Sequence, residues 1–266
     1  MRTYLINLDR HTERLALILP RLAELEHERI AAVDGTFLSG PMVREHGSAF
    51  LAETLTRFER ACLESHRVAW TNFLRGGDET CCVLEDDVEL SGYFAEFINR
   101  PEFNSGAYEL IKIERASKDS IICGARILAV DDRELRPLLS PHLGSAGYFI
   151  NRARAARLLD QTTSPSHPID WIMFHPTLNP PNSVLQLLPA LCQQRSIAGE
   201  KLPHPSFASS IQYKSKKPKK TFSMRVQREL TGTWQRLSRW PPISRSIGLL
   251  LSAINGDGWR SPVGFR

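Results

Sequence analysis

Residues 3–35 read TYLINLDRHTERLALILPRLAELEHERIAAVDG, and their pattern decides the fold class. Thr3 to Leu8 is an apolar run of the length of a buried strand. From Arg10 to about Glu26 the apolar residues Leu15, Ile18, Leu19, Leu22 and Leu25 recur at helical spacing. Pro20 lies inside that pattern without an amide proton to donate, so it is expected to kink or divide the helix. Arg29 to Val33 reads as a second strand, closed by the turn pair Asp34-Gly35. Strand, helix, strand predicts an α/β sheet with parallel pairing.

The same alternation continues downstream. Residues 36–55 read as a variable loop or short helix. Thr56 and Glu59 have capping-box spacing and open a helix carrying Phe58, Cys62, His66, Ala69, Trp70 and Phe73, which Gly76-Gly77 ends. A strand then runs into CCVLEDDVEL at 81–90. Further elements are expected as a helical segment at 92–99, a strand at 107–113 and one or two short, partly antiparallel strands within 121–130. Gly144-Ser145-Ala146-Gly147 leads into a strand at 148–150, and Asn151 can cap a helix over 152–160. Beyond Pro165 the chain is rich in proline and asparagine, with apolar pieces at 171–174 and 183–188.

The chain has 266 residues, 42% of them hydrophobic, enough for one core with at most a small second lobe. Its 24% of charged residues is that of a globular protein, not a disordered one. The net charge of +5 conceals a division. Residues 1–213 hold 22 Lys and Arg against 27 Asp and Glu, a balance of −5, whereas 214–266 hold 12 against 2, a balance of +10. An acidic body and a basic tail should meet different partners. Cys62, Cys81, Cys82, Cys123 and Cys192 have the spacing of neither a zinc motif nor a disulfide framework, so reduced thiols in a cytosolic protein are expected. No apolar run is long enough for a membrane span, and the first residues do not read as a signal peptide.

Glu85-Asp86-Asp87 is the chemical anomaly. Three adjacent carboxylates cost free energy unless a cation or several hydrogen bonds compensate them. Side chains alternate along a strand, so Glu85 and Asp87 should share one side and Asp86 the other. Ligands of open α/β sheets gather at the carboxyl ends of strands, and all-oxygen donors suit Mg2+ or Mn2+ carrying a diphosphate. Acidic clusters also occur on solvated turns, but four apolar residues directly before this one argue for a built site.

Six segments in order resemble glycosyltransferase family 25, the bacterial lipooligosaccharide β-galactosyltransferases and their collagen-modifying relatives. YLINLDRHTERL, RIAAVDG, ACLESHRVAW, VLEDDVEL, SAGYFINRARAARLL and HPIDWIMF carry the resemblance, and LPALCQQRSI extends it to about residue 197. Residues 36–55 and 114–142 match poorly. The resemblance implies a GT-A-type fold, a DxD-like acidic motif with Mn2+ or Mg2+, and inverting transfer of a hexose, usually galactose from UDP-galactose. Asp87 is then the first metal ligand, with Asp86 and Glu85 completing the coordination or holding ribose hydroxyls. Asn7, Asp9, Arg10 and Arg14 follow the first strand, where a nucleotide would lie; a capping and salt-bridge cluster is the other reading. Asp34 is read as a uracil or ribose acceptor, or a plain turn residue. Ser65 and His66 would face the donor phosphates, or form a buried polar pair. Gly144 and Gly147 would admit a close backbone approach near the sugar. Asp170 is the candidate general base beside Trp171, or else a helix-starting carboxylate. His175 and His204 are possible further metal ligands.

The expected organisation is a catalytic domain over 1–213 and a basic amphipathic tail over 214–266. KSKKPKK with interleaved Trp, Leu and Phe suits an anionic membrane surface, consistent with a lipid-anchored glycan acceptor and a cytoplasmic, peripheral inner-membrane position. No nucleic acid partner is expected. The competing readings are a basic-tailed nucleic-acid or phospholipid binding module with a structural acidic strand, and a metal-dependent phosphohydrolase.

Overall fold

A computed structural model describes residues 1–39, 55–115, 121–165, 167–195, 259–261 and 264–265. The loop expected around 36–55 falls largely outside the described residues, as do His204 and most of the basic tail.

In chain order the elements are β1 (Thr3–Asn7), α1 (Thr12–Leu22), β2 (His27–Ala31), α2 (Arg57–Arg75), β3 (Thr80–Glu85), β4 (Val88–Leu90), α3 (Phe94–Ile98) and α4 (Pro101–Asn104). They continue as β5 (Leu110–Lys112), β6 (Ile121–Cys123), β7 (Leu128–Val130), β8 (Arg133–Pro137), β9 (Gly147–Asn151), α5 (Arg152–Gln161) and α6 (Ile169–Phe174). The last are β10 (Val184–Leu188), β11 (Cys192–Gln194) and β12 (Trp259–Ser261).

Eight strands form one mixed sheet in the order β2-β1-β3-β9-β5-β10-β8-β7. Six point one way; only β9 and β8 run against them. From β1 the chain steps outward through α1 to β2, then returns across β1 through α2 to β3. The strand order therefore reverses between β1 and β3, and such a reversal opens a crevice at the carboxyl ends of both.

Strand alternation divides the core into two layers. Tyr4, Ile6, Cys81 and Val83 face Leu63, Trp70 and Phe73 of α2, while Leu5, Cys82 and Leu84 face Ile18 and Leu22 of α1 and the phenylalanines Phe94 and Phe97 of α3. β9 is apolar throughout because both its faces are covered.

The capping box of α2 is formed in both directions: the Thr56 side chain accepts from the Glu59 amide, and Glu59 accepts from the Thr56 amide. Asn151 caps α5 by accepting from the Arg154 amide at 2.8 Å. Pro20, expected to kink or divide α1, does not divide it: one helix runs from Thr12 to Leu22, with only the bond to the Ala16 carbonyl lost. β2 begins two residues earlier than its apolar pattern suggested, since pairing with β1 sets its register from His27.

Two smaller pairs complete the body. β4 and β11 form an antiparallel ribbon beyond the acidic turn, and β12 adds antiparallel to β6. The Ala190 amide donates to Gly264 O at 2.8 Å, so the far end of the chain returns to the domain.

Candidate active site

β3 delivers Glu85 to the crevice, and Asp86-Asp87 form the turn into β4. The three carboxylates meet different partners. Asp86 is neutralised: Arg14 Nη1 donates to its Oδ1 at 2.8 Å and Asn7 Nδ2 to its Oδ2 at 2.7 Å. Asn7 is itself fixed, accepting from Arg29 Nε at 2.9 Å. Both Asp86 and Arg14 are buried, so the pair belongs to the interior.

Asp87 is not satisfied in this way. It is buried, its Oδ1 has no hydrogen-bond partner among the described residues, and its nearest cation, Arg14 Nη1, stands 4.0 Å from Oδ2. Burial, then the charge of Glu85, pushes its carboxyl up to about 8 against the pull of Arg14. A buried carboxylate in that condition suits a cation, and its oxygens are the donor type that Mn2+ or Mg2+ takes. The residues present therefore fit a divalent ion, with Asp87 as the leading donor.

Glu85 is the end of a hydrogen-bonded chain. Trp70 Nε1 can only donate and lies 2.9 Å from the Tyr148 hydroxyl oxygen, which leaves the phenolic proton for His66 Nδ1 at 2.8 Å. His66 then carries its proton on Nε2, 3.3 Å from Glu85 Oε1, and Ser145 donates to the same oxygen at 2.7 Å. Burial would push the Glu85 carboxyl up, but hydrogen bonds from His66 and Ser145 and the nearby Lys112 outweigh it and hold it low.

Two cavities meet at this acid. The first is lined by Arg10, Arg14, Ser65, His66, Glu85, Asp86 and Asp87, with Phe58 and Cys62 on the α2 side. The second is lined by Asp170 and Trp171 at the start of α6, Gly144, Ser145, Glu59 and Gln194. Cys62, Glu85 and Asp87 belong to both and form the wall between them. All three acids line the first cavity, because Asp86 and Asp87 lie in a turn and not in the strand whose alternation would send Asp86 to the other face; only Glu85 and Asp87 also reach the second.

Asp170 is held by backbone: its Oδ2 accepts from Gly144 N at 3.1 Å and its Oδ1 from Trp171 N at 2.9 Å. Trp171 stacks between His167, at 5.8 Å between ring centroids, and His175, at 4.7 Å. Beneath Gly144, Lys112 forms a buried ion pair with Glu114 at 3.1 Å and also donates to Gly144 O. Glu114 accepts from Ala146 N at 3.2 Å, so a buried charge pair fixes the loop that bears Ser145 and touches Asp170.

Of the other expected residues among those described, Ser65 lines the first cavity and the rest lie outside both. Asp9 is exposed and paired with Arg29, outside both cavities. Asn7 stands behind Asp86 as its anchor. Asp34 bonds Thr36 N at 2.8 Å within its turn and pairs with Arg10. Ser65 accepts from Val33 N at 2.9 Å and donates to Ala61 O at 2.7 Å, tying the end of the second strand region to α2. Gly147, expected near the sugar, is buried inside β9 and lines neither cavity; a Cβ there would come within 2.3 Å of Cys192 Sγ, so close packing accounts for the glycine. His175 bonds Thr177 Oγ1 at 2.8 Å and also lines neither cavity. Cys62, Ser145 and Tyr148 were not singled out in the sequence. Only the shared helical face of Cys62 and His66, four residues apart, could have signalled the first of them.

The family described as glycosyltransferase family 25 (LPS biosynthesis protein) matches residues 1–173. The chain is 30% identical over 197 residues to the lacto-N-neotetraose biosynthesis glycosyltransferase LgtB of Neisseria meningitidis serogroup A, covering 66% of this chain and 71% of that protein. It is 29% identical over 150 residues to LgtE of Neisseria meningitidis serogroup B, covering 53% and 54%. It is 27% identical over 165 residues to the lipooligosaccharide biosynthesis protein lex-1 of Haemophilus influenzae, covering 55% and 52%. No helix among the described residues is long and apolar enough to cross a membrane.

Proposed function

The chain belongs to glycosyltransferase family 25, and from that premise we propose that it is an inverting, metal-dependent hexosyltransferase with a GT-A-type fold, taking galactose from UDP-galactose to a lipooligosaccharide-type glycan. The observation that carries this reading is Asp87, a buried and incompletely paired carboxylate in the wall between two cavities. The first cavity takes the donor nucleotide and the second the acceptor sugar.

Asp87, with Glu85 beside it, would hold Mn2+ or Mg2+. When bound, such an ion offsets the charge that gathers on the diphosphate as the sugar–phosphate bond breaks. Arg10 and Arg14, held by Asp34 and Asp86, offer guanidinium donors on the donor side. Trp171 offers its ring to the acceptor sugar. Asp170 takes the proton of the attacking hydroxyl, and the two backbone amides it accepts from fix its position. An acceptor hydroxyl attacking from the second cavity bonds the anomeric carbon on the face opposite the diphosphate as the sugar–phosphate bond breaks and UDP departs, which inverts the anomeric centre.

The test is a donor screen with several UDP-sugars, Mn2+ and a galactose- or glucosamine-terminated acceptor, scored by product linkage. A β-linked hexose product is expected. Release of free sugar or phosphate at the same rate without acceptor would favour a phosphohydrolase instead.

We further assign 1–213 to catalysis and the lysine-rich part of 214–266 to an anionic inner-leaflet surface, with the protein peripheral on the cytoplasmic side. The full chain should then sediment with vesicles containing an anionic phospholipid at low salt and be released at high salt. Equal sedimentation with neutral vesicles would refute that assignment.

A further inference from the structure

The proposed transfer chemistry leaves one sulfur donor at its centre unused. Cys62 is the only one of the five cysteines that is not buried, and it lines both cavities at their common wall. It stands four residues before His66 on α2, so both side chains leave the same helical face. Glu85 arrives opposite them from the end of β3. One ligand atom from each of Cys62, His66 and Glu85 lies within 4.8 Å of the other two.

We propose that Cys62, His66 and Glu85 form a site for a thiophilic divalent cation of the Zn2+ class, which shares Glu85 with the oxygen site led by Asp87. Thiolate, imidazole and carboxylate are the three donor types zinc accepts, with bonds of about 2.3 Å to sulfur and about 2.0–2.2 Å to nitrogen and oxygen. Tetrahedral bonds of that length place ligand atoms about 3.3–3.7 Å apart, so the present cluster needs to contract by about 1 Å. Three protein ligands leave the fourth position open to the cavities. Mn2+ and Mg2+, which prefer oxygen alone, have no comparable use for the sulfur.

The surroundings support the site. Ser145 already orients the Glu85 carboxylate at 2.7 Å. The Tyr148 oxygen, 2.8 Å from His66 Nδ1, can accept from that nitrogen once the metal takes Nε2. Protons and charge balance: the thiol loses one proton, the imidazole moves its proton from Nε2 to Nδ1, and the thiolate and carboxylate together neutralise the dication. One proton is released for each ion bound. Burial, then the charge of Glu85, pushes the Cys62 thiol up, so its proton leaves only as the cation arrives.

The experiment uses the full chain and Co2+ as a coloured substitute for Zn2+. The expected result is a thiolate-to-cobalt charge-transfer band with a tetrahedral visible spectrum, both abolished by Zn2+. In Cys62→Ser the band disappears and the Kd for Zn2+ rises about 100-fold, whereas Cys123→Ser, far from the cavities, keeps both. A second readout needs no variant. Native alkylation should label Cys62 alone, and Zn2+ should protect it. No thiolate band, the same band in Cys62→Ser, or alkylation unaffected by Zn2+ would each overturn the proposal. None of these measurements depends on the chain being a hexosyltransferase, so loss of UDP-sugar activity and loss of this site are separable. If both readings hold, Zn2+ also inhibits transfer, because it withdraws Glu85 and obstructs the passage between the cavities.

Discussion

Asp87→Asn lowers kcat/KM for hexose transfer by about 10³-fold or more and abolishes the part of UDP binding that requires Mn2+. The side chain keeps its volume and loses only its charge. The same substitution should raise the stability of the metal-free protein at pH 7, by about 1–3 kcal/mol, because folding otherwise has to protonate a carboxyl that is ionised in the unfolded chain. A loss of activity together with a higher urea midpoint marks a residue placed for function at the expense of the fold. Isothermal titration with UDP and Mn2+, and urea unfolding in chelator, measure the two halves. Undiminished Mn2+-dependent UDP binding by the variant would refute the assignment of Asp87.

Asp170→Asn should reduce kcat by about 10²–10⁴-fold while leaving the affinity for UDP within about twofold. The separation follows from position, because Asp170 lines the acceptor cavity and not the donor cavity. An asparagine retains one of the two backbone hydrogen bonds the carboxylate accepts, so a stability loss of about 1 kcal/mol is expected alongside. That loss is too small to explain the rate. Steady-state kinetics over acceptor concentration, with UDP titration, checks both numbers; an unchanged kcat would remove Asp170 from the chemistry and leave it as a structural residue at the start of α6.

The periodic elements were legible in the sequence because their signals are local. The apolar runs of Thr3–Asn7 and Thr80–Glu85, the Thr56–Glu59 box and the Asn151 cap each depend on residues a few positions apart. β8 was not legible. Its sequence RELRP looks solvated, yet Arg133 is fully buried, donating to Pro189 O at 2.8 Å, and only the tertiary partner reveals this. The antiparallel insertion of β9 between β3 and β5 is likewise decided by long-range pairing.

In the site, the acidic block and Asp170 could be found because carboxylates in an apolar context stand out. The division of labour among the three acids could not. Which carboxylate is neutralised depends on Arg14 and Asn7, more than 70 residues away in the chain, and the hydrogen bonds to Glu85 run through Trp70 and Tyr148, which read as ordinary core aromatics.

The return of the chain end to the domain bears on how the protein should be trimmed. Cutting at residue 213 would discard β12 together with the lysines, baring the backbone of β6 and the Ala190 amide. An uncovered strand edge is a template for other chains, so such a truncate could clump for reasons unrelated to lipid. Excising the intervening basic stretch and splicing a short flexible spacer to residues 259–266 would spare that seam.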